Sequence, residues 1–436
     1  MKKLKLFGLA IGFVVSGLVG TASAATEIQW WHAMGGALGE KVNIIANGFN
    51  QSQSEYQVVP VYKGNYTETM TAAIAAFRAG EQPHIVQVFE VGTASMMAAK
   101  GAVYPVHELM ADANEPFDEG AYLPAVISYY TTADGKLLSL PFNSSTPVLW
   151  YNADAVEKIG VGIPRTWDEL EAASRKAVAE GYKCGFSFGW QSWVMLENYS
   201  AWHNLPIGTQ ENGFTGFDTE FTINNEAVIN RIQKIADLAK EGVFVYGGRR
   251  GDSRPMFALG ECAFWMNSSA YYGGFKKDIK DFKFGQSMLP LDTAVASEPQ
   301  NSIIGGATLW VLRGNDAAEY KGVAKFFSYM STPGVQSFWH QNTGYVPITT
   351  EAYELSKKQF FYEMNPGTDT AIKQLSLNQP TANSKGLRFG SFVQIRDIFN
   401  EELEAVWSGT KDANQAINDA VARGNKLLRK FEKTVD

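Results

Sequence analysis

Several residues of this chain carry groups able to hold a small polar molecule. Glu90 closes an apolar run, Ile85 to Phe89, and stands before Val91-Gly92. A carboxylate there can accept hydrogen bonds from hydroxyls, although a surface acid after a strand looks the same. Trp190 and Trp193 follow a strand and a glycine in Phe188-Gly189-Trp190-Gln191-Ser192-Trp193. Two indoles so arranged form a flat wall that packs on the carbon face of a polyol or attracts a quaternary ammonium group. Ordinary core packing produces the same pattern. Ser268 and Ser269 lie between a strand and a helix start, where hydroxyls and free N–H groups bind anions or simply cap the helix. Gly305-Gly306 lets a backbone approach a ligand closely. Arg396 opens an amphipathic segment and offers a planar, permanently charged fork that matches phosphate oxygens. A salt bridge to Asp397 or to another helix would use it equally well. Tyr66 and Tyr345 are phenolic hydroxyls beside glycine-containing turns.

The elements that must carry these groups alternate between strand and helix. Ile28–Trp31, Val58–Tyr62 and Ile85–Phe89 read as strands, with helices over about 38–49 and 67–78 between them. That order predicts a largely parallel sheet with helices on both faces. Thr166 with Glu169 three residues on is a capping box. Tyr182–Phe188 and Cys262–Met266 read as strands. Val228, Ile229, Ile232, Ile235, Ala236 and Ala239 recur at helical spacing over 226–240. Further helices are expected over 323–330, 395–407 and 413–431. Polar or irregular interruptions at 143–147, 291–302 and 344–347 come without long linkers. They suit an α/β chain of two interleaved lobes with a cleft between them. The first lobe would comprise 25–142 and 291–345, and the second 143–290 and 346–436.

Lys2, Lys3 and Lys5, the apolar stretch Leu6–Val19, and Ala22-Ser23-Ala24 read as a Sec-type signal peptide cleaved after Ala24. Removing those 24 residues and three lysines from a 436-residue chain of formal charge −7 leaves 412 residues and −10. The acidic balance argues against nucleic acid or an anionic membrane as partner. Cys184 and Cys262 both fall in strands; an exported compartment permits a disulfide, and buried free thiols are as common. His32, His84, His107, His203 and His340 are scattered singly, so neither a metal site nor a cofactor is expected. The competing class is an exported hydrolase. Its acids would have to come from pairs such as Glu401-Glu402, which are consecutive on a helix and point apart, a metal-dependent esterase would need a His/carboxylate cluster, and no G-x-S-x-G elbow is expected.

Six segments occur together in order: Trp31-His32-Ala33-Met34, Tyr62-Lys63-Gly64-Asn65-Tyr66, Phe142-Asn143-Ser144-Ser145-Thr146-Pro147-Val148, Gly189 to Trp193, Ile303 to Gly306, and Thr343 to Ile348. As a set they resemble the periplasmic sn-glycerol-3-phosphate-binding proteins of ABC importers, within the extracellular solute-binding proteins of the maltose-binding type. The resemblance implies a type II binding-protein fold and no catalysis. Its implied partners are a small phosphate ester, inner-membrane permease subunits and their ATPase. A periplasmic monomer suits it. Tyr66 and Glu90 would meet glycerol hydroxyls. Ser145, Ser268, Tyr345, the Gly306 backbone and Arg396 would surround the phosphate, and Trp190 and Trp193 would line the wall, with room for choline. Gly35 and Ala37 stand where the resemblance leads one to expect acids. A sugar or oligosaccharide carrier is the alternative, and Arg396 is the residue for which a neutral sugar has little use.

Overall fold

The computed structural model describes residues 24–435. Of the signal-peptide reading, only Ala24 falls among the described residues. Ten strands form two sheets. The first holds β1 (Thr26–His32), β2 (Tyr56–Tyr62), β3 (Ile85–Phe89), β4 (Val103–Tyr104), β5 (Leu140–Ser145) and β10 (Gly305–Leu312). Its order is β2-β1-β3-β10-β4, with β5 also on β10. The second holds β6 (Pro147–Asn152), β7 (Cys184–Phe188), β8 (Cys262–Ser268) and β9 (Phe284–Ser287), in the order β7-β8-β6-β9. The chain passes from one sheet to the other at Thr146 and returns between β9 and β10.

The architecture is the expected two-lobed α/β one, but the sheets are mixed rather than mainly parallel. Parallel pairing occurs where helix crossovers impose it, between β1 and β2, β1 and β3, and β7 and β8. β10 arrives from the other sheet running the opposite way and pairs antiparallel with β3, β4 and β5. β6 does the same to β8 and β9. Such long-range returns leave no local trace in sequence, whereas βαβ units do.

Local chemistry explains the elements that reach the cleft. β3 is buried at all five positions, hence its unbroken apolar run. The helix Tyr66–Ala79 starts on a capping box: the Asn65 side chain accepts from the Thr67 and Glu68 N–H groups, and Glu68 accepts from the Asn65 N–H. That fixes Tyr66 as the first helical residue. The capping box expected at Thr166 and Glu169 is also formed. The helix Glu226–Lys240 has the expected bounds and buries Val228, Ile232, Ile235 and Ala236. The helices Phe392–Trp407 and Ala413–Val435 pack on it and on each other.

Cys184 and Cys262 are direct partners on parallel strands and form a disulfide, with Cα atoms 4.6 Å apart. Arg388 is buried without a carboxylate partner. Its guanidinium donates to the carbonyls of Ser128, Tyr129 and Thr131, and its cation lies 4.2 Å from the centre of the Phe214 ring. Residues 128–130 adjoin the helix Pro124–Ile127, which packs on β5, and the Arg388 backbone N–H donates to the Asn212 carbonyl at 2.8 Å. No helix of the described residues is long and apolar enough to cross a membrane.

Candidate functional site

A cavity of about 770 Å³ opens between the two sheets. Every binding residue expected from the sequence lines it, from Tyr66 and Glu90 through Ser145, Trp190, Trp193, Ser268, Gly306 and Tyr345 to Arg396.

At the buried end, Arg396 on the helix Phe392–Trp407 joins two carboxylates. Its Nε and Nη2 grip Glu197 at 2.8 and 2.6 Å, and Nη2 also donates to Glu90 at 2.8 Å. The three side chains are at most 6% exposed. Burial works against the Arg396 charge, but Glu197 and Glu90 more than offset it and hold the guanidinium proton above its usual range. Burial pushes the Glu197 carboxyl up, against the pull of Arg396. Asp397, the neighbour that sequence offered as an ion partner, instead lies 4.0 Å from Arg249. Glu197 is the residue the sequence reading missed. It sits on a π-helical stretch, Trp193–Asn198, one turn after Trp193, and its signal was a lone acid directly after the apolar run Val194-Met195-Leu196. Such turns recur at functional sites.

A chain of side-chain bonds sets the hydroxyls. Gln87 accepts from the Ala33 N–H and donates to Asn143 Oδ1 at 2.6 Å; Asn143 Nδ2 then donates to the Tyr66 hydroxyl at 2.7 Å. The Tyr66 oxygen is therefore an acceptor here, which leaves its own proton to be donated. Burial pushes the Tyr66 and Tyr345 hydroxyls up, so both stay neutral donors. Tyr345 stacks on Trp339 at 5.6 Å. Its carbonyl accepts from His340 Nδ1–H, while the Tyr362 hydroxyl donates to His340 Nε2. Burial lowers the His340 pKa to about 4, consistent with this neutral tautomer. Across the cleft, the Ser268 hydroxyl donates to Ser145 at 2.8 Å and accepts from the Ala270 N–H. Ser268 thus caps its helix and also faces the cavity, so the two alternatives at this position coexist.

Two positions admit only glycine. Gly306 has φ +106°, and a Cβ there would lie 1.8 Å from the Asn143 carbonyl oxygen. A Cβ on Gly189 would lie 2.0 Å from the Arg250 carbonyl oxygen. That contact prepares the unusual residue that follows. Trp190 has φ +47°, a left-handed conformation costing of order 1–3 kcal/mol for a bulky residue and concentrated at functional sites. Its N–H donates to the carbonyls of Arg249 and Arg250. Trp193 is buried, and its indole N–H has no partner among the described residues. A buried, unpaired donor on a cavity wall is suited to a ligand oxygen.

Six cations, Lys41, Arg250, Arg254, Lys276, Lys277 and Arg396, line the cavity against three acids, Glu40, Glu90 and Asp278. The cleft thus reverses the sign of the whole chain. Sequence gave no hint of this, because these side chains come together only in three dimensions.

Two features bear on the hydrolase reading. Gly185-Phe186-Ser187-Phe188-Gly189 has the spacing of a serine-hydrolase elbow, G-x-S-x-G, which corrects the expectation that the chain holds none. Ser187, however, lies inside β7 and is fully buried, and its hydroxyl donates to the Val245 carbonyl at 2.7 Å. An elbow needs the serine exposed on a strained turn from strand to helix. No group of three or more His, Cys, Asp or Glu residues that could hold a metal occurs among the described residues.

A two-sheet α/β chain with charged and hydroxyl groups set in a cavity between the sheets has the form of a solute receptor. The model of the family described as bacterial extracellular solute-binding protein matches residues 45–369, and the chain belongs to that family. Among its relatives, the sn-glycerol-3-phosphate-binding periplasmic protein UgpB of Yersinia pseudotuberculosis is 50% identical over 416 residues, 94% of each chain. The protein of the same name from Salmonella typhimurium is 48% identical over 429 residues, covering 97% of this chain and 98% of its own. Among solved structures, UgpB of Mycobacterium tuberculosis in complex with glycerophosphocholine superposes with a TM-score of 0.78 at 18% identity, over 93% of this chain and 99% of that one. Maltose-bound MalE3 of T. maritima gives 0.76 at 19% identity, over 92% and 100%.

Proposed function

We propose that this protein captures sn-glycerol 3-phosphate, or a glycerophosphodiester such as glycerophosphocholine, and delivers it to an ABC importer. It works in the periplasm as a monomer and performs no catalysis. The observation that carries the reading is the convergence of Glu90, the hydroxyls of Tyr66, Ser145, Ser268 and Tyr345, an unpaired indole N–H and Arg396 in one cavity that is cationic within an acidic protein. Relatives about half identical over nearly the whole chain bear glycerol-phosphate names, which supports the same ligand class.

In this reading Tyr66 and Glu90 receive the glycerol hydroxyls. Ser145, Ser268, Tyr345, the Gly306 backbone and the Trp193 N–H surround the phosphate, and Trp190 walls the outer side. Glu197 and Glu90 already balance Arg396 and leave one negative charge over. The phosphate therefore depends on directed neutral donors as much as on Arg396, since a buried anion without them is very costly. Glu90 and Tyr66 come from the first sheet's side, Arg396 and Ser268 from the second's, so a ligand touching all four favours the closed arrangement. The lobes of this motion are 25–142 with 291–345 and 143–290 with 346–436, and the permease recognises the closed pair.

Isothermal titration of the mature protein with sn-glycerol 3-phosphate, glycerophosphocholine and maltose tests the ligand class. Binding of a phosphate compound and no binding of maltose is the expected result. Maltose binding alone would establish a sugar carrier instead.

A further inference from the structure

Arg250 is set apart from the other arginines of the cleft, since Arg396 is held by Glu90 and Glu197. Its neighbour Arg249 is held by Glu404 through two bonds of 2.7 Å. Arg254 pairs with Asp278. Arg250 has no ion partner among the described residues, and its side chain is exposed at the cleft. Its backbone, by contrast, is fixed: its carbonyl accepts from the Trp190 N–H at 3.0 Å and from Asn267 Nδ2 at 3.4 Å, against the face of Gly189 that no side chain could share. The strained turn that presents the Trp190 indole is therefore stapled to the residue that carries this guanidinium, whose centre lies 5.8 Å from the Trp190 ring. An aromatic face with a cation already on it is a poor seat for a second cation, because the two compete for the ring and repel each other. Lys277 adds a positive charge to the same wall, and the opposite rim, where Gly35 and Ala37 stand, offers only the exposed Glu40 as an acid.

We propose that Arg250 and Trp190 form an outer subsite that selects the alcohol of a glycerophosphodiester by charge, taking an uncharged polyol and disfavouring a quaternary ammonium. The indole covers the carbon face of the polyol, and the guanidinium donates to its hydroxyls. This rests on the proposed ligand class and ranks the diesters within it.

Glycerophosphoglycerol and glycerophosphocholine are the probes, since they share the glycerol phosphate end and differ in the charge of an alcohol of similar size. Titration of the mature protein should give a preference of about tenfold for glycerophosphoglycerol, the size of a unit repulsion across roughly 6 Å in a half-solvated site. In Arg250→Glu the ratio of the two affinities should invert, and in Arg250→Gln it should fall to about one. Because both ligands are measured on one sample, a general loss of affinity or stability cancels in the ratio. Wild-type preference for glycerophosphocholine, or a ratio unmoved in both variants, overturns the subsite. Failure of sn-glycerol 3-phosphate itself to bind the wild type would instead remove the ligand class on which the subsite rests.

Discussion

Arg396 shows why a single substitution can mislead. Removing its side chain takes away a ligand contact and also leaves Glu90 and Glu197, both buried, facing each other without a cation. Breaking a buried ion pair in this way costs about 3–5 kcal/mol. Arg396→Ala is therefore expected to lose ligand binding and to be destabilised by that amount in chemical denaturation. Adding Glu197→Gln should return much of the stability without the binding, because the pair of changes is coupled through one network. Binding regained in the double variant would reduce Arg396 to a structural ion pair. The nine cavity residues were legible in the sequence because each stands at a strand end, a turn or a helix start, where local pattern and chemistry coincide. Glu197 was not, since its partner Arg396 lies 199 residues away. Arg250 was not either, because an arginine in an exposed Gly-Arg-Arg-Gly loop looks like ordinary surface.

The elements divide in the same way. Most helices with strong caps or a clean apolar face were read within a few residues of their bounds, because cap and periodicity are local; Ala317–Met330 was not, since its capping box at Asp316 and Glu319 went unread and the expected helix began six residues late. The antiparallel partners of β10 were unreadable, since they join residues some 160–220 positions apart. The disulfide lay between these cases: both cysteines were placed in strands, but their adjacency depends on the β7–β8 register. It closes a loop with a sequence separation of 78, for which the chain-entropy relation gives about 4.5 kcal/mol. Reduction, or Cys184→Ser with Cys262→Ser, should lower unfolding stability by an amount of that order. An unchanged denaturation midpoint under reductant would mean that the two sulfurs are not joined in the mature protein.

At the scale of the molecule, donors from both sheets meet in one cavity, and the Glu90–Arg396 and Ser145–Ser268 pairs join its two sides. Hinge closure predicts a smaller radius of gyration in small-angle scattering when a tight ligand is added. Unchanged scattering with saturating ligand would remove closure as the signal to the importer.

The Arg388 clamp has a consequence for salinity. Its partners are carbonyl dipoles, and it is buried, so mobile ions have little access to it and no opposite charge to screen. Arg250 is exposed, and at about 1 M salt the screening length shrinks to roughly 3 Å, shorter than its distance to the indole face. As the surroundings become more saline, the Arg388 contacts to residues 128–131 should keep their strength while the proposed discrimination by headgroup charge fades. A receptor built this way goes on working in brine but becomes less selective there.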